Sequence, residues 1–477
     1  MNFSNNKNIH IFWLLLALSA AGCRKSVEVQ APVSSISGSE VYKTDGTTMA
    51  AVTGIYTNLM NGPTMVQGSQ SIAMLMGLAS DELKNYSTSP AYIAPYTNAF
   101  MVTGNYFWGE LYEALYPCNA IIQGVTASTS LSDAIHNQAL GEAKFMRALL
   151  LFYATNLYGD VPLVTTTDYR KNNTISRSKP ADVYKQIISD LKDAQSLLSS
   201  DYVNGAGATV TDRARPNRAA ASALLARVYL YTKDWGNAEA LADSIIANTS
   251  YQLLTDLSQV FLKASKETIW QMQPVVPGYS TYEPSSYILL AAPGNAVPAA
   301  VSSYLLNAFE QNDKRMANWV GSVTVAGSGS IPTTTYYYPY KYKAVPANAT
   351  TAPAEYLVVL RLAEQYLIRA EARAQQHNLT GAVSDVNIIR SRAGLSDTTA
   401  SSQTELLAAI AHERQVELFT EWGHRWFDLK RTGAVDSVMG VVTPQKGGVW
   451  KTTGQLLPIP ANETIINPNL GQNPGYF

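Results

Sequence analysis

The chain has 477 residues, and its 35 basic and 36 acidic side chains leave a net charge of −1. That balance gives no electrostatic footprint for nucleic acid and no basic patch for anionic lipid. The length exceeds what one compact core usually fills, so two lobes or a repeat array are expected.

At the N-terminus Lys7 precedes an apolar run from Ile9 to Ala21, too short for a membrane span of about 20 residues and suited to a signal-peptide core. Small residues then lead into a cysteine, Leu18-Ser19-Ala20-Ala21-Gly22-Cys23. This stretch resembles a bacterial lipobox, which implies cleavage before Cys23, a lipid on that residue, a signal peptide over 1–22 and a tether over 23–40. With only two cysteines a disulfide framework is excluded, and Cys118, on an apolar helix, reads as a small buried residue.

Helical periodicity runs from Thr47 to Leu78. The stretch Lys84 to Asn105 reads as irregular, with Tyr86, Tyr92 and Tyr96 among Ser, Thr, Pro and Gly, and so long a loop is more often functional than not. A helix is predicted from Tyr106 through Trp108, Leu111, Leu115 and Asn119, and a second from a Ser132-Asp133 cap to Tyr158. Gly159 and Pro162 stop it. Pro180 opens a helix whose apolar face is Val183, Ile187, Ile188, Leu191, Ala194 and Leu198.

Between Leu224 and Ile246 a helix, a turn and a second helix carry Ala226 and Ala238 twelve apart, and Ala370 and Ala382 repeat that spacing between Leu367 and Ile389. Such pairs resemble tetratricopeptide repeats, with a period of about 34 residues, in which small side chains let paired helices approach closely. Between the repeats, residues 271–301 and 316–354 are rich in Pro, Gly, Ser, Thr and Tyr and read as loops or short strands, with helical packing resuming at Tyr356. The fold class predicted is mainly α, a tetratricopeptide-like scaffold of helical pairs with long irregular loops and a few short strands. The regions expected are 41–265, carrying the first repeats, and 266–477, carrying ligand loops, as one compact unit.

From Glu405 to Arg431 charges fall inside an apolar stripe. Leu407, Ile410, Leu418 and Trp422 form the stripe, and Arg414 and Glu421 land within it, so they need partners. The expected network is local, Glu421 to Arg425 and Arg425 to Asp428, with Glu417 beside it and Gly423 ending or bending the helix. Structural ion pairs are favoured over an acid/base site here, because no nucleophile or ligand set accompanies them. Trp422 and Trp426 are assigned to the core.

Separated motifs resemble the RagB/SusD family of nutrient-binding outer-membrane lipoproteins. They are Trp108-x-x-Leu111-Tyr112 followed by Cys118-Asn119-Ala120-Ile121-Ile122, the stretch Tyr158-Gly159-Asp160-Val161-Pro162-Leu163, and the set Glu413, Arg414, Glu417, Leu418, Glu421, Arg425, Asp428, Leu429 and Arg431. The tail adds Leu457-Pro458-Ile459-Pro460 and Gln472-Asn473-Pro474-Gly475-Tyr476. Trp422, inserted before Gly423, lengthens the spacing around the bend by one residue. The resemblance implies a repeat scaffold, an outer-membrane location facing the cell exterior, a glycan or peptide ligand and a SusC-like, TonB-dependent transporter as partner.

The five histidines are scattered without ligand spacing, and no nucleophile elbow, phosphate loop or dinucleotide fingerprint is present, so neither metal nor cofactor is expected. A glycoside hydrolase needs two carboxylates about 5–10 Å apart. Between Gln271 and Leu305 the one acid is Glu283, and residues 316–354 hold none. Tyrosine-rich, acid-poor loops suit stacking on sugar rings without cleavage, and Tyr86, Tyr92, Tyr96, Tyr279, Tyr282 and Tyr287 are the expected ligand residues. The alternatives are a secreted hydrolase using Asp81, Glu82 or Glu110, and a repeat adaptor without a small ligand.

Overall fold

The computed structural model describes residues 38–329, 332–346 and 350–476. Cys23 and the expected signal peptide lie outside the described residues, as does most of the tether. No described helix is long and apolar enough to cross a membrane.

The first helical run is two helices, α1 (Asp45–Leu59) and α2 (Ile72–Ala79), not one. Gly62 takes a left-handed φ of 92° and Pro63 lacks an N–H, so residues 60–71 cannot continue α1. The stretch read as irregular likewise contains a helix, α3 (Pro90–Tyr96), with Pro90 at its start and the Ser89 hydroxyl accepting from the Ala91 N–H at 3.4 Å. Helices α4 (Trp108–Ala127), α5 (Asp133–Tyr158) and α6 (Pro180–Leu197) follow where periodicity places them. Cys118 is buried on α4, its thiol pushed up to about 12 by burial.

Two helical pairs complete the scaffold: α7 (Arg218–Tyr231) with α8 (Trp235–Ile246), and later α12 (Leu362–Gln375) with α13 (Leu379–Arg392). Ala226, Ala238, Ala370 and Ala382 are each fully buried, which lets the helix axes come close. Consecutive helices α4 to α8 pack side by side, and α8 packs directly on α12, so the array continues across the intervening segment. Beyond α12 it is extended by α14 (Gln403–Glu417), which packs on both α12 and α13.

The segment that leaves the array at α8 and returns at α12 carries the irregular structure. It holds strand β2 (Thr268–Met272), helix α9 (Glu283–Tyr287), strand β3 (Ala299–Val301), helices α10 (Ser303–Ala308) and α11 (Lys314–Trp319), the hairpin β4 (Val320–Val325) and β5 (Thr334–Pro339), and β6 (Leu357–Arg361). Strand β6 precedes α12, so the chain after Tyr356 is first extended; its Val358 and Val359 suit a strand buried on both faces. It pairs antiparallel with β2, while β3 pairs with β1 (Leu83–Asn85).

The stretch from Glu405 to Arg431 is two helices, α14 and α15 (His424–Arg431), separated by a turn at 418–423. The extra residue Trp422 is absorbed by left-handed backbone at Thr420, Trp422 and Gly423, with φ of 51°, 50° and 71°. Trp422 and Trp426 are both buried, the Trp422 indole N–H donating to the Val358 carbonyl at 2.9 Å. A Cβ on Gly423 would stand 3.1 Å from both Ile72 Cγ2 and Met76 Cβ. Gly423→Ala should therefore destabilise the chain by about 1–2 kcal/mol from the left-handed backbone alone, with the contact adding to it, as read by urea unfolding. Helix α16 (Val435–Gln445) follows, and the tail then closes on α5: Asn473 Nδ2 donates to the carbonyls of Tyr158 and Leu457 at 2.8 Å each.

Most charges of α14 and α15 pair across the fold, with Asp428–Arg431 the pair along a helix. Glu421 accepts from Arg361 at 2.8 and 2.9 Å and from Lys341 at 2.5 Å, not from Arg425, whose guanidinium goes to Asp81 at 2.7 and 2.8 Å. Asp428 takes Arg414 and Arg431, both at 2.7 Å, instead of Arg425. Glu417 accepts from Arg361 at 2.5 Å, from Arg315 at 3.3 Å and from Arg392. The expected pairs Glu421–Arg425 and Arg425–Asp428 are absent because the turn at 418–423 rotates α15 away, which aims Glu421 at the inserted segment and leaves Asp428 to Arg414 and to Arg431 one turn on.

Candidate functional site

Tyr86 follows β1 directly, its N–H donating to the Pro298 carbonyl at 2.8 Å, so the β1–β3 ladder fixes where its ring begins. The ring meets Tyr336 of β5 edge to face, centroids 5.5 Å apart, and the Lys84 ammonium sits 5.1 Å from its centroid. Tyr96, on α3, lies beside Tyr86 and Tyr304, and burial with these neighbouring phenols raises its pKa. The Lys446 ammonium stands 5.1 Å from the Tyr96 ring and donates to the Leu78 carbonyl at 2.7 Å; burial pushes its pKa down to about 7. Tyr92 is one helical turn before Tyr96, half-buried and packed on the main core.

Tyr279 and Tyr282 stack on one another, ring centroids 4.4 Å apart and planes 16° from parallel. The Tyr282 backbone is held by the Gln67 side chain, and Gly68 approaches it so closely that a Cβ there would lie 3.1 Å from Tyr282 Cβ. Tyr287 is a correction to the expected ligand set: it is 3% exposed, facing inward from the far end of α9 toward Glu283 and Glu82. One turn of helix separates it from Tyr282, and that turn reverses its direction.

A groove of about 540 Å³ runs beside α9, with Ile288, Leu290, Val297 and Val345 among its walls. Leu290 at its edge is 91% exposed. Asn295, also on the wall, accepts at Oδ1 from the Ser87 hydroxyl at 2.7 Å and the Thr88 N–H at 3.0 Å, so the groove is tied to the segment that bears Tyr86. The structure thus gathers Tyr86 and Tyr96 on one face and stacks Tyr279 on Tyr282, with no ring contact between the two pairs among the described residues. Sequence reasoning missed Tyr304 and Tyr336 as members of that face. Tyr336 lay in a visible Tyr run, but its alternate-residue direction depends on the hairpin register, Val323 opposite Tyr336.

The carboxylates considered for hydrolysis are engaged or buried. Asp81 holds Arg425, and Glu110 accepts from the Met65 N–H at 2.6 Å. Glu82 is 1% exposed, its pKa pushed up to about 8 by burial and then by neighbouring Asp81. Glu283 is buried too, accepting from the Gly68 N–H at 2.8 Å, with burial raising its pKa to about 8. Glu310, His412 and Glu413 place donor atoms within 4.8 Å of one another. Arg390 Nη1 donates to both of those carboxylates, at 2.5 and 2.8 Å, so a guanidinium already stands where a cation would.

Residues 165–476 match the family model described as the SusD family, and residues 50–230 match one described as "Starch-binding associating with outer membrane". SusD-like protein P25 of Formosa agariphila is 24% identical over 98% of this chain and 99% of its own length. Starch-binding protein SusD of Bacteroides thetaiotaomicron is 24% identical over 72% of this chain and 74% of its own. Among solved structures, a laminarin-binding SusD-like protein shares the fold with a TM-score of 0.74 at 23% identity, covering 91% of this chain and all of that one.

Proposed function

This chain belongs to the SusD family, and from that premise we propose that it captures a glycan at the outer membrane, anchored by a lipid on Cys23, and hands it uncleaved to a SusC-like, TonB-dependent transporter. The observation that carries the reading is the acid-poor face of Tyr86, Tyr96, Tyr304 and Tyr336 beside an open groove, with the Tyr279–Tyr282 stack at the other end of α9. Phenol rings offer sugars a flat apolar surface and a hydroxyl rim, and among the described residues no carboxylate pair is found against these rings. The starch- and laminarin-binding relatives support a glycan as the ligand, and the family description supports the membrane association.

Each stacked face contributes on the order of 1 kcal/mol, so useful affinity requires several rings acting together and stays weak enough for release to a transporter. Maltohexaose and laminarihexaose, titrated calorimetrically, are the probes. Tyr86→Ala with Tyr336→Ala is expected to weaken the bound glycan about thirtyfold, and Tyr279→Ala with Tyr282→Ala to have a comparable effect, with the urea midpoint barely moved. Affinity unchanged in both double variants would remove the tyrosine face as the binding surface. Transfer is checked by co-purification of the tagged chain with a barrel protein from outer membranes, which Cys23→Ala should leave in the soluble fraction.

A further inference from the structure

Strand β5 and the residues just after it send alternate side chains to opposite sides. Pro339 and Lys341 are buried on one side, where Tyr337 also packs on the main core, while Tyr336, Tyr338 and Tyr340 stand half-buried on the other. Tyr336 meets Tyr86, and the row continues past it: Tyr338 and Tyr340 meet edge to face, centroids 5.7 Å apart and planes 88° from parallel. The hairpin register sets Gly321 of β4 opposite Tyr338, and a Cβ on Gly321 would overlap the Tyr338 ring, so that ring lies across bare glycine backbone.

An ammonium closes each end of the row. Lys84 stands 5.1 Å from the Tyr86 centroid and Lys343 stands 5.1 Å from the Tyr340 centroid. Lys84 is exposed and forms no ion pair among the described residues. Near Lys343, Glu355 spends its two oxygens on the Lys343 and Ala344 N–H groups, at 2.8 and 3.0 Å, and so leaves the ammonium free to donate. At about 3.3 Å of rise per residue the three β5-side tyrosines repeat roughly every 7 Å, and with Tyr86 the four rings extend over about 20 Å. A trisaccharide cannot cover that length; a hexasaccharide can.

Resting on the glycan reading above, we propose that Tyr338 and Tyr340 are further ligand residues of the same site, and that the row from Tyr86 to Tyr340 is a track for a linear glycan of roughly four sugar units or more. Lys84 and Lys343 donate to sugar oxygens at its two ends. The ligand class is therefore a chain fragment rather than a mono- or disaccharide. Calorimetry on the purified protein compares the trioses and hexaoses of the malto, laminari and cello series. In the series that binds, the hexaose should bind about thirtyfold more tightly than the triose, because two more rings are engaged. Tyr338→Ala with Tyr340→Ala should bring that ratio close to one. Gly321→Val is the second variant: it suits a strand, leaves both tyrosines in the sequence and lifts the Tyr338 ring off its support, and should lower the ratio about fivefold. A hexaose that binds no more tightly than its triose, or a ratio unchanged in either variant, would overturn the track while leaving capture at Tyr86 and Tyr336 standing. No binding of any hexaose would overturn the glycan reading and the track together.

Discussion

Glu417→Ala is expected to destabilise the folded chain by about 3–5 kcal/mol, seen as a lower urea midpoint at an unchanged denaturant slope. Glu417 is fully buried and faces three arginines, Arg315 from α11, Arg361 from β6 and Arg392 from α13. Removing the carboxylate leaves those guanidinium groups crowded in a low-dielectric interior with, among the described residues, Glu267, Glu413, Glu421 and Asp313 to offset them. The arginines hold the Glu417 carboxyl far below its ordinary range despite burial. Its folded pKa is depressed, so its contribution is present above the unfolded value of about 4.3 and is lost only as pH falls through the folded one. Wild-type protein should thus keep this hub charged through mildly acidic buffers, and the gap between wild type and Glu417→Ala should hold steady from pH 5 to pH 8. An effect no larger than that of a surface pair such as Glu40–Lys43 would show that the hub contributes nothing to holding the inserted segment on the scaffold.

What the hub does for function follows from where its members sit. Lys341 comes just after β5, which carries Tyr336, and Glu267 comes just before β2, whose partner β6 supplies Arg361. The ion pairs fasten the loop-bearing segment to α14 from both ends. The need for partners was legible in the sequence, because Arg414 and Glu421 fall in an apolar stripe. The partners were not, since they come from elsewhere in the chain, 60 residues away for Arg361–Glu421, 98 for Arg315–Glu413 and 25 for Arg392–Glu417. The scaffold was more readable than the site for the same reason. Pro180, Gly159 and the buried alanines act within a turn or two of helix, whereas which side of α9 a tyrosine faces is decided by long-range packing. Tyr282 and Tyr287 look alike in sequence, yet one stacks on Tyr279 and the other is sealed over Glu283.

The opposite electrostatic sign is expected at Glu283, where Glu283→Gln should stabilise the protein at pH 7.5 by about 2–3 kcal/mol and leave it unchanged near pH 4.5. Burial, with the Gly68 N–H as its one hydrogen-bond donor among the described residues, lifts the carboxyl to about 8. Its folded pKa lies above the unfolded value of about 4.3, so its contribution is complete below that value and is lost as pH rises through the folded pKa. Over that window wild type loses up to about 1.4 kcal/mol per pH unit through this group, while the glutamine variant carries no such slope and still offers an oxygen to Gly68. Lys430 and Lys446, pushed down to about 7 by burial, tilt stability the other way above neutrality, but they do so in both proteins and cancel in the difference. A gain of equal size at both pH values would mean that packing, not ionisation, sets the effect. Glycan affinity provides a second reading, because Glu283 fixes the Gly68 turn against Tyr282: if only the hydrogen bond matters, the variant binds as wild type does, whereas a loss of affinity would make the carboxylate charge itself part of how the Tyr279–Tyr282 stack is held.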